Sequence, residues 1–409
     1  MRARTYGIEI ELASFETKRE VCTANGGRLY MDCGHIEIDT PECLTPREVA
    51  LYDKSNERTA AALSTNPVYK NNVAKHVRKL RLAAYGRHEN FYAAEGTNYT
   101  ADSFSALNLF LATRTMFDGS GKIDGDKYRT SQRARFVVIY DKRLCIDSTD
   151  RYTRASFFKE PSRMQICTGD STLSEIQTAF NVAITSIVLD IIEDGKVGIS
   201  AENKEILRVF MELPYQFENF GGFKVKTTLG KMSAIAVQRY FFELAAENGA
   251  DPPILRQWSR YLDVLESGEY MELRRDFDWA TKLWIFDRSR KRHSRDFGHP
   301  VMQKTDILFH RLGKDDKTAG LYEIARAEGH VDTMFSEEEI SAAATVPPKT
   351  RASGRVKGLE FGLVDSFEPW GNLYVPCINL PVFEMPDPFK TYADEVEEFA
   401  RKHGLASLP

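Results

Sequence analysis

Acidic residues recur at every second position in three segments near the start of the chain. Glu9 and Glu11 lie in YGIEIEL, Asp32 follows Arg28 and Tyr30 in RLYMD, and Glu37 and Asp39 follow His35 in HIEIDT. Side chains at i and i+2 of an extended strand share a face, so each segment would present its charged groups together. Carboxylates crowded on one face repel one another unless cations neutralise them. Mg2+, which takes hard oxygen ligands and pairs with substrate phosphates, is the natural neutraliser. Arg28 on the same face would then meet a phosphate. A solvated sheet face is the alternative and stays open on pattern alone. The mixture of Tyr, Arg and His with the carboxylates, beside Gly26 and Gly27, weighs against it. A thiol protease built on Cys33 and His35 is poorly supported, because no third orienting group or oxyanion loop is evident.

The elements that must position these residues read as strands first and helices later, which points to an α+β fold rather than alternating βαβ units. Tyr6 to Leu12, Arg28 to Asp32 and His35 to Thr40 alternate as strands, and Phe136 to Ile146 reads as extended. From Val77 to Tyr92 a basic helical pattern passes into the strand-like HENFYA. Thr172 and Glu175 have capping-box spacing ahead of Ile176, Phe180, Ile184, Ile187, Val188 and Ile191, and Gly195 follows as a stop. Further helices are predicted over 233–247, 253–266, 336–344 and 392–403. Pro347 and Pro348 break the pattern, which places a domain boundary near residue 346.

These segments, taken in order, resemble the Pup ligase and Pup deamidase (depupylase) family. GIEIE at 7–11 is similar to GIETE, NGGRLYMD at 25–32 to NGARLYxD, and HIEIDTPE at 35–42 to HPEYxTPE. Lys70-Asn71-Asn72, YGRHEN at 85–90, SQRA at 131–134 and GDSTLSE at 169–175 resemble further family segments. So do Ser233 to Gln238, Asp278-Trp279 with Lys282, PPKTRA at 347–352 and MPDP at 385–388. The resemblance implies a glutamine-synthetase-like catalytic domain, a curved antiparallel sheet backed by helices, over 1–345, and a small C-terminal domain over 346–409. It implies ATP and Mg2+ as cofactors, with Glu9, Tyr30 and Glu37 as metal ligands and Arg28, Thr40 and Trp370 contacting ATP. Asp32 would be the catalytic aspartate, with Glu11, His35, His88, Glu89, Asn90 and Arg163 around it. The implied reaction is a carboxylate–amine ligation through a γ-glutamyl acyl phosphate. Hydrolysis of an amide or isopeptide on the same scaffold, with nucleotide as cofactor, is the alternative. Only thirteen residues separate Glu11 from Asn25, where the family carries a longer connection, and Arg163 alone stands for the family's arginine-rich stretch.

Bulk properties agree with such an enzyme. With 409 residues and 42% hydrophobic content, the chain can build a large core and an appendage. A net charge of −4 gives no general attraction to nucleic acid or anionic membrane, so neither is expected as a partner. The expected partners are a carboxylate substrate, of the kind of a small acidic Pup-like protein or peptide, and an amine acceptor. Six scattered cysteines and no apolar leader fit the cytoplasm. Lys70, Lys75, His76, Arg78, Lys79 and Arg81 form a basic stretch. On a helix Lys75, Arg78 and Lys79 would share one side and could recruit an acidic protein or cover nucleotide phosphates. A solvated face is the alternative.

Overall fold

A computed structural model describes residues 2–13, 21–32, 35–70, 75–77, 81–83, 85–92, 99–140, 143–146, 163–293, 296–313, 315, 317–363, 372–373 and 383–408. Its strands are β1 (Tyr6–Ala13), β2 (Val21–Cys22), β3 (Arg28–Asp32), β4 (His35–Asp39), β5 (Val68–Lys70), β6 (Lys75–Val77), β7 (Arg81–Ala83), β8 (Arg87–Tyr92), β9 (Lys122–Asp124), β10 (Lys127–Arg129), β11 (Val137–Tyr140), β12 (Arg143–Ile146), β13 (Arg163–Gly169), β14 (Lys224–Thr227), β15 (Gly230–Ser233), β16 (Arg311–Leu312), β17 (Asn372–Leu373) and β18 (Phe383–Glu384). The helices are α1 (Pro46–Leu63), α2 (Ala101–Arg114), α3 (Glu175–Glu193), α4 (Asn203–Glu212), α5 (Ala234–Glu247), α6 (Pro252–Ser267), α7 (Asp278–His293), α8 (Pro300–Phe309), α9 (Leu321–Ala327), α10 (Glu337–Ala342), α11 (Arg351–Glu360) and α12 (Ala393–Lys402).

The principal sheet is antiparallel, in the order β13-β8-β1-β4-β3-β2, with β5 pairing the far end of β1 and β16 flanking β5. Alternation divides β1 cleanly. Ile8, Ile10 and Leu12 are buried in the main apolar core with Leu29, Ile36, Ile38 and Phe91. The helical layer closes over them, α1 and α3 packing on each other and α1 on β1 and β4. Helix α3 is long and apolar enough to cross a membrane, yet 94% of its most apolar window is buried inside the protein. Burying a side chain the size of Ile or Leu contributes about 1.5–3 kcal/mol, so this face anchors the sheet and leaves the opposite face for polar groups.

Several sequence motifs act as staples between these elements. Asp170 accepts hydrogen bonds from the Ser120 and Gln132 amides (2.9 and 2.8 Å), the Arg133 amide (2.9 Å) and the Ser120 and Ser131 hydroxyls, which fixes the 131–134 loop beside the sheet. Asp278 accepts from the amides of Leu173 and Ser174 at the entry to α3 (2.6 and 3.0 Å). The buried Lys282 Nζ donates to the Gly121 carbonyl and to Asp306.

Three expectations are corrected. The Thr172–Glu175 capping box does not form: the Thr172 hydroxyl is held by Arg87 and Thr178, and Ser174 caps α3 by accepting from the Gln177 amide. The basic stretch is not helical where it is described. β6 and β7 pair antiparallel, Lys75 opposite Ala83 and Val77 opposite Arg81, so Lys75 stands on a strand, and Arg78 and Lys79 lie outside the described residues. The run has neither a cap nor an apolar stripe to support a helix. Lys70 leaves the set altogether, being buried with Nζ on Asp53 and Glu57 at 2.7 and 2.8 Å. Helix α1 was missed. Thr45 caps it and Pro46 opens it, but its buried side includes Asp53, Lys54, Ser55, Asn56 and Glu57 and carries no readable apolar period.

Candidate active site

The register of the sheet turns the three sequence segments into one grid. Glu9 lies opposite Asp39, Glu11 opposite Glu37, Arg28 opposite Asp39, Tyr30 opposite Glu37, and Asp32 opposite His35. On the other side of β1, Glu9 lies opposite His88 and Gly7 opposite Asn90, while Asn90 in turn lies opposite Gln165 of β13. Directly opposed residues in an antiparallel pair sit on the same face at close range. Glu9, Glu11, Glu37 and Asp39 therefore converge, and all but Asp39 are buried as whole residues.

Hydrogen bonds knit the grid. Glu9 accepts from Gln165 Nε2 (2.7 Å), Asn90 Nδ2 (3.0 Å) and Arg163 Nη1 (3.2 Å), and lies 3.0 Å from His88 Nδ1. Tyr30 donates to Glu37 at 2.6 Å. His35 Nε2 lies 3.1 Å from Glu37 and 3.3 Å from Glu11. Arg133 donates to Glu11 at 2.9 Å and approaches His88 Nε2 at 3.2 Å. Glu11 also accepts from the Gly86 amide at 2.6 Å. A Cβ on residue 86 would lie 2.1 Å from Arg133 Nη1, so only glycine lets that guanidinium reach its place.

The electrostatics show what the face lacks. Burial would raise Glu11, but Arg133 and His35 hold it well below the usual carboxylate range. Burial would lower His35, yet its hydrogen bonds to Glu11 and Glu37 raise it to about 10. His88 is likewise raised against its burial by Glu9. Asp39 is pushed well up by burial and by Glu9 and Glu37, and its Oδ1 is buried with no hydrogen-bond partner. Asp39 and the two imidazoles are thus drawn toward their protonated forms, and the unpartnered Asp39 Oδ1 is a position that a bound cation would satisfy. The donor atoms of Glu9, Glu37 and His88 lie within 4.8 Å of one another, as do those of Glu11, His35 and Glu37. Each group joins two carboxylates and one imidazole, and the carboxylate oxygens with the Tyr30 hydroxyl on Glu37 are the donors that would suit a hard divalent cation that also carries phosphate.

The other expected residues fall as follows. Arg28 stacks its guanidinium 4.2 Å over the Tyr30 ring, at the edge of the grid. Thr40 is buried and its hydroxyl accepts from the Ile8 amide at 3.0 Å, which ties β1 to the end of β4. Asp32 ends β3 beside His35. Trp370 lies outside the described residues. Glu89 does not join the grid: as the neighbour of His88 on a strand it faces the opposite side, in a buried network with Arg87 and Arg114. Three residues join the grid without a role that the sequence pattern assigns: Asp39 in the alternation of β4, Arg133 in the SQRA segment, and Gln165 two positions beyond Arg163 on the same strand face.

An antiparallel sheet with an acidic, partly cationic face and a helical backing defines a glutamine-synthetase-like fold, and solved structures bear this out. The complex of the prokaryotic ubiquitin-like protein Pup with its ligase PafA matches with a TM-score of 0.83, covering 98% of this chain and 92% of that one at 23% identity. PafA in complex with ADP matches with a TM-score of 0.80, covering 95% and 90% at 23% identity. The family model described as Pup-ligase protein matches residues 3–361, and the chain belongs to that family. It is 28% identical over 418 residues to the Pup–protein ligase of Xylanimonas cellulosilytica, covering 91% of this chain and 88% of that protein. To the Pup–protein ligase of Actinosynnema mirum it is 27% identical over 429 residues, covering 94% and 91%. To the depupylase of Acidothermus cellulolyticus it is 28% identical over 400 residues, covering 90% of this chain and 75% of that protein.

Proposed function

We propose that this chain is an ATP-dependent carboxylate–amine ligase that joins Pup, a small protein, to an amine through an amide or isopeptide bond. The observation that carries the reading is the convergence of Glu9, Glu11, Glu37 and Asp39 from the adjacent strands β1 and β4, beside Tyr30 of β3 and with Arg28 and Arg163 at its edge. In this reading ATP transfers its γ-phosphoryl group to a substrate carboxylate, and the amine then displaces phosphate from the acyl phosphate. Glu9, Tyr30 and Glu37 would hold Mg2+, which when bound supplies neutralisation of phosphate charge during transfer. Arg28 is aimed at the same face and would orient phosphate oxygens, with Thr40 and Trp370 as further nucleotide contacts. Asp32 would take the proton of the attacking amine, a role suited to a carboxylate among other anions. Arg163, already bonded to Glu9 and Asn90, would steady the ligand carboxylate and meet the incoming substrate anion.

Cleavage of the same bond is the weaker reading, since the alignment spans 88–91% of the cited ligases but 75% of the depupylase. We place the enzyme in the cytoplasm, in keeping with the free thiols of Cys22, Cys43 and Cys167. Residues 346–409 are read as a small C-terminal unit with its own apolar cluster of Leu363, Met385, Tyr392, Val396 and Ala400. Arg351 and Arg355 of α11 clamp it to Glu42, just beyond β4. Incubation with Pup, an amine-bearing protein and MgATP should give a covalent conjugate that requires ATP and is lost in Asp32→Asn. A conjugate formed equally well without nucleotide would refute the reading.

A further inference from the structure

The turn that leads into β3 and Arg28 leans on the C-terminal unit. Among the described residues the outer edge of β3 is covered only by the two residues of β2. The turn closes on itself: the Gly26 amide donates to the Thr23 carbonyl at 2.8 Å, and Asn25 Oδ1 accepts from the Thr23 hydroxyl (2.7 Å) and the Gly27 amide (3.1 Å). Asn25 Nδ2 donates to the Ala343 carbonyl, just beyond α10, at 3.0 Å. Gly26 has a φ of 83°, which suits glycine, and a Cβ there would lie 2.8 Å from the Ala352 carbonyl oxygen. The backbone of α11 therefore packs directly on the turn.

Arg355 of α11 is buried and joins this turn to a second point on the sheet. Its Nε donates to the Gly26 carbonyl at 2.8 Å, its Nη1 to Glu42 Oε1 at 3.0 Å, and its Nη2 to Glu42 Oε2. Glu42 is itself well anchored. The Thr40 amide donates to the Ile8 carbonyl at 2.9 Å, and Cys43 and Tyr6 exchange two backbone bonds at 2.8 and 2.9 Å. Burial would raise Glu42, but Arg355 and Arg351 hold it well below the usual carboxylate range, so it is charged. A planar guanidinium can serve these three acceptor atoms at once, which an ammonium cannot. Gly26 precedes Arg28 by two residues, and Glu42 follows Thr40 by two. Arg28 in turn lies opposite Asp39, the neighbour of Thr40. Arg355 thus fixes the spacing of the two chain segments that bear Arg28 and Thr40. Arg351 differs: it bonds Glu42 at 2.7 Å and the Met385 carbonyl at 3.2 Å, neither of which belongs to the turn.

We propose that Arg355 is a positioning residue for the nucleotide site, holding the 23–27 turn so that Arg28 meets the ATP phosphates at a fixed distance from Thr40. The inference rests on the reading of Arg28 and Thr40 as nucleotide contacts. Arg355 touches neither ATP nor the reacting groups and acts through the turn. The C-terminal unit thereby belongs to the framework of the ATP site.

The test compares two variants of the full chain. Arg355→Lys keeps a positive charge for Glu42 but loses the fork that also reaches the Gly26 carbonyl. Arg351→Lys perturbs the same carboxylate from the same helix without touching the turn. Each variant and the parent are read by calorimetric titration with MgATP, by steady-state conjugation, and by hydrogen exchange of peptides covering residues 23–32. Arg355→Lys should weaken ATP binding by about tenfold, with KM for ATP rising to match and kcat at saturating ATP within about twofold of the parent. Its 23–32 amides should exchange about tenfold faster. Arg351→Lys should lower the melting temperature as much as Arg355→Lys, yet keep the parent's ATP affinity and 23–32 exchange. Parent-like ATP affinity in Arg355→Lys overturns the proposal, and with conjugation intact it leaves the ligase reading standing. An equal loss of affinity in both variants also overturns it and makes Arg355 a clamp of the C-terminal unit alone. If the parent binds ATP but forms no conjugate, the ligase reading falls, and the split in affinity and exchange between the variants still upholds the positioning role. A parent that binds no ATP overturns both.

Discussion

Glu89→Gln separates a structural carboxylate from a catalytic one. Glu89 is buried, and it accepts from Arg114 Nη1 and Nη2 (2.8 and 2.9 Å) and from Arg87 Nη2 and Nε (2.7 and 3.2 Å). Asp118 is the second carboxylate of the cluster, paired with both arginines. Two guanidiniums and two carboxylates balance in a fully buried site, and Arg114 and Arg87 hold Glu89 below its ordinary pKa despite its burial. The amide keeps the shape of the side chain but leaves two buried cations facing one anion. Removing one partner of a buried ion pair costs about 3–5 kcal/mol. With a denaturant slope near the upper end of the usual range, about 3 kcal/mol per M, the urea midpoint should fall by about 1–1.7 M. Unfolding followed by fluorescence should show this shift with the slope unchanged, and ATP affinity measured well below the transition should match the parent. A midpoint within about 0.3 M of the parent, on the same slope basis, together with lost ATP affinity would return Glu89 to the active site and refute the assignment.

Asp32→Asn should retain ATP binding while turnover falls on the order of 10²–10⁴-fold, read by calorimetry and by conjugate formation; a near-normal rate would remove Asp32 from the mechanism. Glu9→Ala should bind ATP equally weakly with and without EDTA, whereas the parent should lose most of its affinity when the metal is chelated. Burial raises Asp278 from the ordinary value to about 6, so the folded protein binds a proton that the unfolded chain has released between pH 4 and 6. This group therefore contributes less stability as pH rises through that window, by about 3 kcal/mol in total. Asp278→Asn should flatten that part of the stability–pH curve, and an identical slope in parent and variant would contradict it. Glu42→Gln breaks the double clamp of Arg351 and Arg355, so limited proteolysis should cut beyond residue 361 faster than in the parent; unchanged cleavage would show that the clamp is dispensable.

Much of the acidic face was legible because strands obey a period of two. Once Glu9, Tyr30 and Glu37 were placed on strands, only register separated the sequence pattern from the grid. What stayed hidden depends on contacts between distant segments. Arg133 reaches Glu11 because Asp170 shapes its loop and Gly86 leaves room, and neither fact is a local pattern. Gln165 enters through the pairing of β13 with β8. Glu89 was misplaced by following the HEN motif rather than the alternation, which puts His88 and Glu89 on opposite faces. Helix α1 hid behind a buried polar network, where Lys54 and Lys70 are matched by Asp53 and Glu57 instead of an apolar stripe. The basic run misled in the other direction, since charge spacing carries little weight without caps or apolar period.

Counting ADP against new bonds tests directly whether ATP drives ligation. The enzyme would be incubated with MgATP, Pup and an amine-bearing protein, with ADP measured by chromatography and conjugate by denaturing gel. ADP should form in stoichiometric amount with conjugate, and when the amine is blocked by acetylation no conjugate should form and no ADP beyond a single turnover of the enzyme. Loss of preformed conjugate or release of ammonia from Pup, with no net consumption of ATP, would contradict it and make the chain a hydrolase.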